Sequence, residues 1–417
     1  MRSRRAIWLV LAVAGACGEA EDPGGGEPLT YWRVVFPVLA SRCHQCHLDG
    51  PSSYQPWFDS YENVAQVAGG IASAVRTRDM PPWAVTADGS CGDWDRSHWL
   101  ADGEIAALEA WASSDLLEGE PEDAATPGLI PSPRTLRAVD AVVDPGVEYQ
   151  PLLGDRLHRC FRAELSLDST AYLTAFDVVP GNPRAVQHVS LYALDTDEAA
   201  GAAAALDEED GEPGYHCFGG TRVTGSRLLG TWTWGEAAFR FPDGTGVRID
   251  PGRDVVMQIH YNTNGGGATP DPDRTRVELE LTGRAREGRF LPLELADLDL
   301  PPGRQFAQAS ALLTIPESID VHGVFPFMHS LGHSMLLLRA SGDCLAQVRD
   351  WHLYGHMRYY GYRAPARLEA GDRVWLECNY DTSSRGESVD AGESFAAEAC
   401  RLNLYATAAP GTPAAPE

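Results

Sequence analysis

Positive charge is scarce in this chain of 417 residues: 33 Lys and Arg stand against 59 Asp and Glu, a formal net charge of -26 at pH 7. A surface of that sign repels phosphate backbones, which excludes a nucleic-acid-binding role. Long apolar runs are also missing. The longest lies at the amino terminus, from Ala6 to about Val13, and falls far short of the ~20 residues that a membrane-spanning helix needs. No G-x-S-x-G elbow is present, so a serine-nucleophile hydrolase finds no support. The Gly-containing loops RVTGSRLLG (222–230) and TNGGGATPD (263–271) lack the strand-to-helix setting of a phosphate cradle and read as turns. There is no internal repeat beyond a rough similarity between two β-rich halves.

What is present begins with an export signal. MRSRRAIWLVLAVAGAC joins a basic start (Arg2, Arg4, Arg5) to an apolar stretch and small residues ending at Cys17, the layout of a secretory signal. The small residues before Cys17 are similar to a bacterial lipobox, so lipidation at Cys17 is expected, with cleavage to a free periplasmic form as the alternative. A protein so exported resides in the periplasm or at the outer membrane and touches the membrane only through its lipid anchor. Without the signal, 30 basic residues face 59 acidic ones, a net charge of -29. Such an acidic surface either steers a basic redox partner or simply maintains solubility.

The length suggests two or three domains. Residues 18–28 form a flexible acidic, Gly-rich tether. Residues 29–117 are predicted helical, with Thr30 capping a first helix, a second over 61–78, and Asp102 capping a third. The Pro- and acid-rich stretch 118–133 reads as a linker. Beyond it, short runs such as VQHVSLYAL, VVMQIHY, RVELELT and RVWLECNY alternate with Gly, Pro and Asp clusters, an all-β texture. The fold class is therefore a small all-α domain followed by two tandem all-β sandwich domains, jelly-roll-like, over 134–290 and 291–406, with a disordered tail at 407–417.

Cys43-His44-Gln45-Cys46-His47 is a C-x-x-C-H motif, in which two thiols attach haem c and the adjacent His binds iron. A bare zinc or redox pair would need a second ligand pair at suitable spacing, which is lacking. Met80, in RTRDMPPW, is the expected partner of His47 on the iron, since Met and His together suit a cytochrome c. His44 is expected to face solvent.

From about 134 to 405 the order of motifs resembles the copper type II, ascorbate-dependent monooxygenases, the family of peptidylglycine α-hydroxylating and dopamine β-monooxygenases, in its bacterial branch with an amino-terminal cytochrome-like domain. The carriers are HRCF (158–161), VQHVSLYAL (186–194), PDGTGVRI (242–249), MQIHYNT (257–263), FMHSLGHSM (327–335), ECNYDTSS (377–384) and GESFAAEAC (392–400). The resemblance implies two copper sites across a cleft. The first takes an adjacent His pair, here Gln187-His188, and His260. The second, where oxygen and substrate meet, takes a His-x-His pair, here Phe327-Met328-His329, and a Met where Ala399 stands. His188 and His260 are thus the implied ligands of a transfer copper, and His329 the surviving ligand and catalytic residue of the other. Phe and Ala cannot donate to copper. Replacement donors exist in His322, His333, His352, His356, Met328, Met335 and Met357.

The same resemblance implies a Cys378–Cys400 disulfide and a Cys160–Cys217 pair, leaving Cys91 and Cys344 unassigned, though one of them could tie the helical domain to the second sandwich. Implied function is C–H hydroxylation of a small substrate with O2, haem relaying electrons from a periplasmic donor to one or two copper ions. The alternatives are a non-catalytic descendant used for electron transfer or interaction, and a copper-handling lipoprotein.

Overall fold

A computed structural model describes residues 28–48, 56–95, 97–124, 135–152, 156–234, 236–263, 271–353, 357–394 and 396–410. Cys17, the signal and His356 lie outside these, as do most of the tether and linker and the end of the tail. The described residues are mostly β, with few helices.

The amino-terminal part forms a helical unit around its own core of Tyr31, Val35, Leu39, Val64, Leu108 and Trp111. The Thr30 hydroxyl accepts the Arg33 N–H, as its sequence position suggests. Ser60 caps the helix Tyr61–Arg76 in the same way. Asp102 is the first residue of the helix Asp102–Ala112 and not its cap: Ala101 is the N-cap, and the Glu104 carboxylate accepts the Ala101 N–H at 2.7 Å. The chain closes on itself where Tyr31 and Trp32 donate to the carbonyls of Leu117 and Glu118.

Two β units follow, each with two sheets around a core. In the first, a five-stranded sheet packs on strands that include Ala171–Val179 and Arg276–Thr282, through Phe161, Phe176, Val189, Met257 and Val277. In the second, a four-stranded sheet packs on strands Ile319–Phe327 and Arg401–Ala408, through Val324, Met335, Leu376 and Leu402. The units are not separate sandwiches, because one nine-stranded sheet runs through both. The strand Arg286–Glu294 pairs in parallel with Thr245 and Gly246 at its start and antiparallel with Arg401–Ala408 along its length. It therefore straddles the division expected at 290/291, and the seam falls just before it. Nor does the tail begin at 407. Thr407 and Ala408 complete the strand Arg401–Ala408, and buried Thr407 bonds His322 and Arg286.

Segment 83–95 of the helical unit closes both edges of the second β unit. Val85 bridges Val348 on one edge strand, and Trp94 bridges Tyr362 on the other. Trp83, Val85 and Trp94 enter that unit's core, and a Cys91–Cys344 disulfide fastens the segment. Covering an open strand edge removes a site of intermolecular pairing. The remaining bridges are Cys160–Cys217 and Cys378–Cys400. Three disulfides suit an oxidising compartment. Among the described residues no helix is long and apolar enough to cross a membrane.

Candidate metal centre

Three adjacent strands of the five-stranded sheet, Arg156–Glu164, Asp254–Asn262 and Val186–Leu194, carry a row of histidines. His158 lies opposite His260, and His260 lies opposite His188. Directly opposed side chains on one sheet face stand close enough to share a ligand. The His158 and His260 rings stack at 4.4 Å with 9° between planes, and His188 lies 4.9 Å from His260 and 5.3 Å from His158. Among the described residues this is the one group of three His, Cys, Asp or Glu side chains whose ligand atoms all fall within 4.8 Å of one another.

All three are buried. Burial alone pushes the His188 pKa down to about 3, and burial first, then the neighbouring His188, holds His158 well below the ordinary imidazole range. Neutral imidazoles are the form that binds metal. Neither ring nitrogen of His188 has a hydrogen-bond partner, although it is 1% exposed. A buried polar group in that state calls for an explanation, and a metal ion is the one this donor set fits. Imidazole suits copper and zinc alike.

Two of these residues, His188 and His260, were legible in the sequence. The third, His158, was not, although it heads the HRCF motif. It stands in for the adjacent histidine that the resemblance led us to expect at Gln187. Gln187 is instead the extra residue of a β-bulge, between Val186 opposite Tyr261 and His188 opposite His260, and its carbonyl accepts the Trp234 N–H. Bulges beside a site re-aim its side chains.

His329 lies apart from the row. Phe218 separates them, its ring 5.1 Å from His158 on one side and 4.8 Å from His329 on the other. His329 is held firmly: its ring Nδ1 lies 2.9 Å from the Ala397 carbonyl, and its backbone N–H donates to Glu398. Glu398 is fully buried, accepts N–H bonds from His329, Leu331 and Ala399, and has its pKa raised to about 7 by burial. The His329 Nε2 is buried without a partner. Phe327 and Ala399 flank it without donor atoms; the Phe327 ring is 5.2 Å away and the Ala399 carbonyl accepts the Tyr380 hydroxyl.

Among the described residues the candidate replacement histidines form no donor group with His329. Buried His322 bonds the Thr407 hydroxyl at 3.0 Å, His333 sits edge-on to Phe306, and His352 is exposed beside Asp79 at 3.6 Å. None of the three belongs to the three-histidine group.

The C-x-x-C-H motif spans the N-cap Cys43 and the short helix His44–His47. His47 Nδ1 is 2.8 Å from the Pro56 carbonyl and its ring stacks on Phe58 at 4.5 Å. That contact fixes the ring and leaves Nε2 for a metal, as an outer partner of a ligating His does. Burial raises the Cys43 thiol to about 12 and the Cys46 thiol to about 11. Thiol–disulfide exchange, which needs a lowered pKa, is disfavoured. None of the three disulfides includes either residue. His44 is half-buried with its pKa lowered, chiefly by burial, and does not stand free in solvent as expected. Met80 is 43% exposed and borders a crevice shared with Trp83, His98 and Trp99.

Cys46 packs against the core of the first β unit. The Arg358 and Glu236 charges act on it, and those two side chains form an ion pair at 3.5 Å. Next to Arg358, the Met357 carbonyl accepts the Thr233 hydroxyl at 2.7 Å, and Thr233 lies directly opposite His188. Cys46 and the histidine row thus border the same β unit. A cavity of about 490 Å³ opens between the two β units, lined by His158, Phe218, Phe327, Met357, Glu393 and Arg401 among others.

No family model matches the chain. A relative from Drosophila melanogaster, MOXD1 homolog 2, is 23% identical over 253 residues, which is 53% of this chain and 32% of that protein. The chain therefore spans about a third of that relative's length. Among solved structures, a Paenibacillus xanthan lyase aligns over 69% of this chain and 28% of its own at 10% identity, with a TM-score of 0.17. Bacillus subtilis oxalate decarboxylase aligns over 68% and 81% at 6% identity, with a TM-score of 0.14.

Proposed function

We propose that this chain is an exported, monooxygenase-like oxidoreductase in which Cys43, Cys46, His47 and Met80 would hold haem c and His158, His188 and His260 would hold a single copper, the two together supplying one-electron chemistry. The observation that carries this reading is the buried row of three imidazoles, in a chain whose sequence relative is a MOXD1 homolog. Copper bound there would supply a one-electron couple and an open coordination position for a small ligand.

The protein's own residues do the rest. The sheet register places the three rings on one face, and burial holds the His158 and His188 pKa values down. Cys46, which would hold the haem, packs on the same β unit that bears His188. The cavity beside His158 would receive a small substrate, with O2 as oxidant and a periplasmic protein as electron donor. Lipidation at Cys17 would hold the whole at the envelope.

A second reading is an electron-transfer or copper-binding module that has lost hydroxylation, and the absence of donor atoms at Phe327 and Ala399 favours it. Stopped-flow mixing distinguishes the main claim. Reduced haem in the copper-loaded protein should be reoxidised by internal transfer to Cu(II), with a rate independent of protein concentration. Equal haem oxidation rates in copper-loaded and copper-free protein would refute that joint one-electron chemistry. Oxygen uptake that depends on an added substrate separates the hydroxylase from the module.

A further inference from the structure

His158 is the member of the histidine row that also lines the cavity, and Phe218 lies against it there. We propose that Phe218 is an aromatic plug that sets which ligands reach the metal from the cavity, a role that rests on the copper reading of the row. The Phe218 ring is 6% exposed and meets His158 edge-on at 80°, with its other side on His329. It fills the gap that would otherwise join the histidine row, His329 and the cavity into one space.

The backbone around Phe218 is pinned from both sides, so the side chain is the moving part. On one side Cys217 bonds Cys160 and donates its N–H to the His158 carbonyl at 3.0 Å. The plug is thereby tied to the strand that bears the metal-facing His158. On the other side Gly219 takes a left-handed φ of +76°, and a Cβ there would collide with the Glu393 carboxylate, so only Gly fits. Glu393 is itself held by Arg401 at 2.7 Å. Gly220 is fixed through its carbonyl, which accepts the Gln258 amide at 2.9 Å. A phenyl ring on so fixed a backbone has one soft motion, rotation about its own side-chain torsions between staggered wells. The neighbouring cavity of about 490 Å³ has room for the displaced ring. With the ring in place, entry is restricted to ligands that slip past it. With the ring displaced, a larger ligand meets the metal with His329 Nε2 facing the same space.

The test uses the full chain loaded with Cu(II), with azide as the probe and its charge-transfer absorption as the readout. Copper content is measured for each variant. Phe218→Ala is expected to keep its copper and bind azide at least tenfold more tightly than the unaltered protein. Phe218→Leu, a gentler change that guards against misfolding, should fall between the two. Copper retained with equal azide affinity in all three proteins overturns the plug while leaving the metal site intact. Loss of copper on Phe218→Leu also overturns it, because Phe218 would then be supporting the ligands and not screening them. No copper in the unaltered protein overturns the metal reading and the plug together.

Discussion

Set against the monooxygenase resemblance, the two β units differ in what they hold at the expected ligand positions. In the first, Gln187 stands where a histidine is expected, yet His158, two strands away, completes a group of three imidazoles. In the second, Phe327 and Ala399 stand at expected donor positions, and His322, His333 and His352 contact other groups. The difference lies in what each strand can offer. Side chains opposed across adjacent strands of one sheet face lie close together, so histidines from three strands form one row. His329 lies beyond the end of the strand Ile319–Phe327, where Glu398 clamps its backbone N–H. Among the described residues only the first unit shows a group of three such donors.

The comparison breaks most sharply at His158. His158→Ala should lower copper affinity by more than the ~10–100-fold typical of outer-shell partners, because it removes a ligand outright; equilibrium dialysis against a copper chelator reads this directly. Phe327→His with Ala399→Met should restore donors beside His329 and add a second copper, seen as a second set of signals in the Cu(II) spin-resonance spectrum. His329→Ala alone should leave copper content unchanged and cost about 2 kcal/mol of stability, from the lost ring contact and the space it vacates. Chemical denaturation together with metal analysis separates the two effects.

The smallest expected effect lies away from both sites. All 33 basic residues are arginines, and Arg240 forms a two-pronged pair with Glu280 at 2.7 Å on each oxygen. That pair, with the Arg137 N–H, pulls the Glu280 pKa down to about 2. A carboxylate lowered in the folded state stabilises it above the unfolded value near 4.5, and the contribution disappears as pH falls through 2. Glu280→Gln should therefore lower the melting temperature at neutral pH and flatten its fall between about pH 4.5 and 2, so that the two proteins converge at the acid end.

Much of this was legible in local sequence. The C-x-x-C-H motif, the shift from helical to β texture and the Thr30 cap are short-range patterns. His188 and His260 were legible through their motifs. His158 was not, because its role depends on which residue of a distant strand it faces, and register across 102 residues is not written in either strand alone. The same holds for Cys91–Cys344, 253 residues apart, and for the parallel pairing at Arg286 that merges the two β units into one sheet. His322 misled for the opposite reason: its hydroxyl partner Thr407 lies in a segment whose composition reads as disordered.

The account stands most directly on the metal stoichiometry of the copper-reconstituted protein, expressed as copper per haem iron after exhaustive dialysis. One copper per haem, lost in His158→Ala and kept in His329→Ala, is the predicted result. A ratio near two would show that the second unit still binds metal, and a ratio near zero, or zinc in place of copper, would contradict the copper centre at His158, His188 and His260.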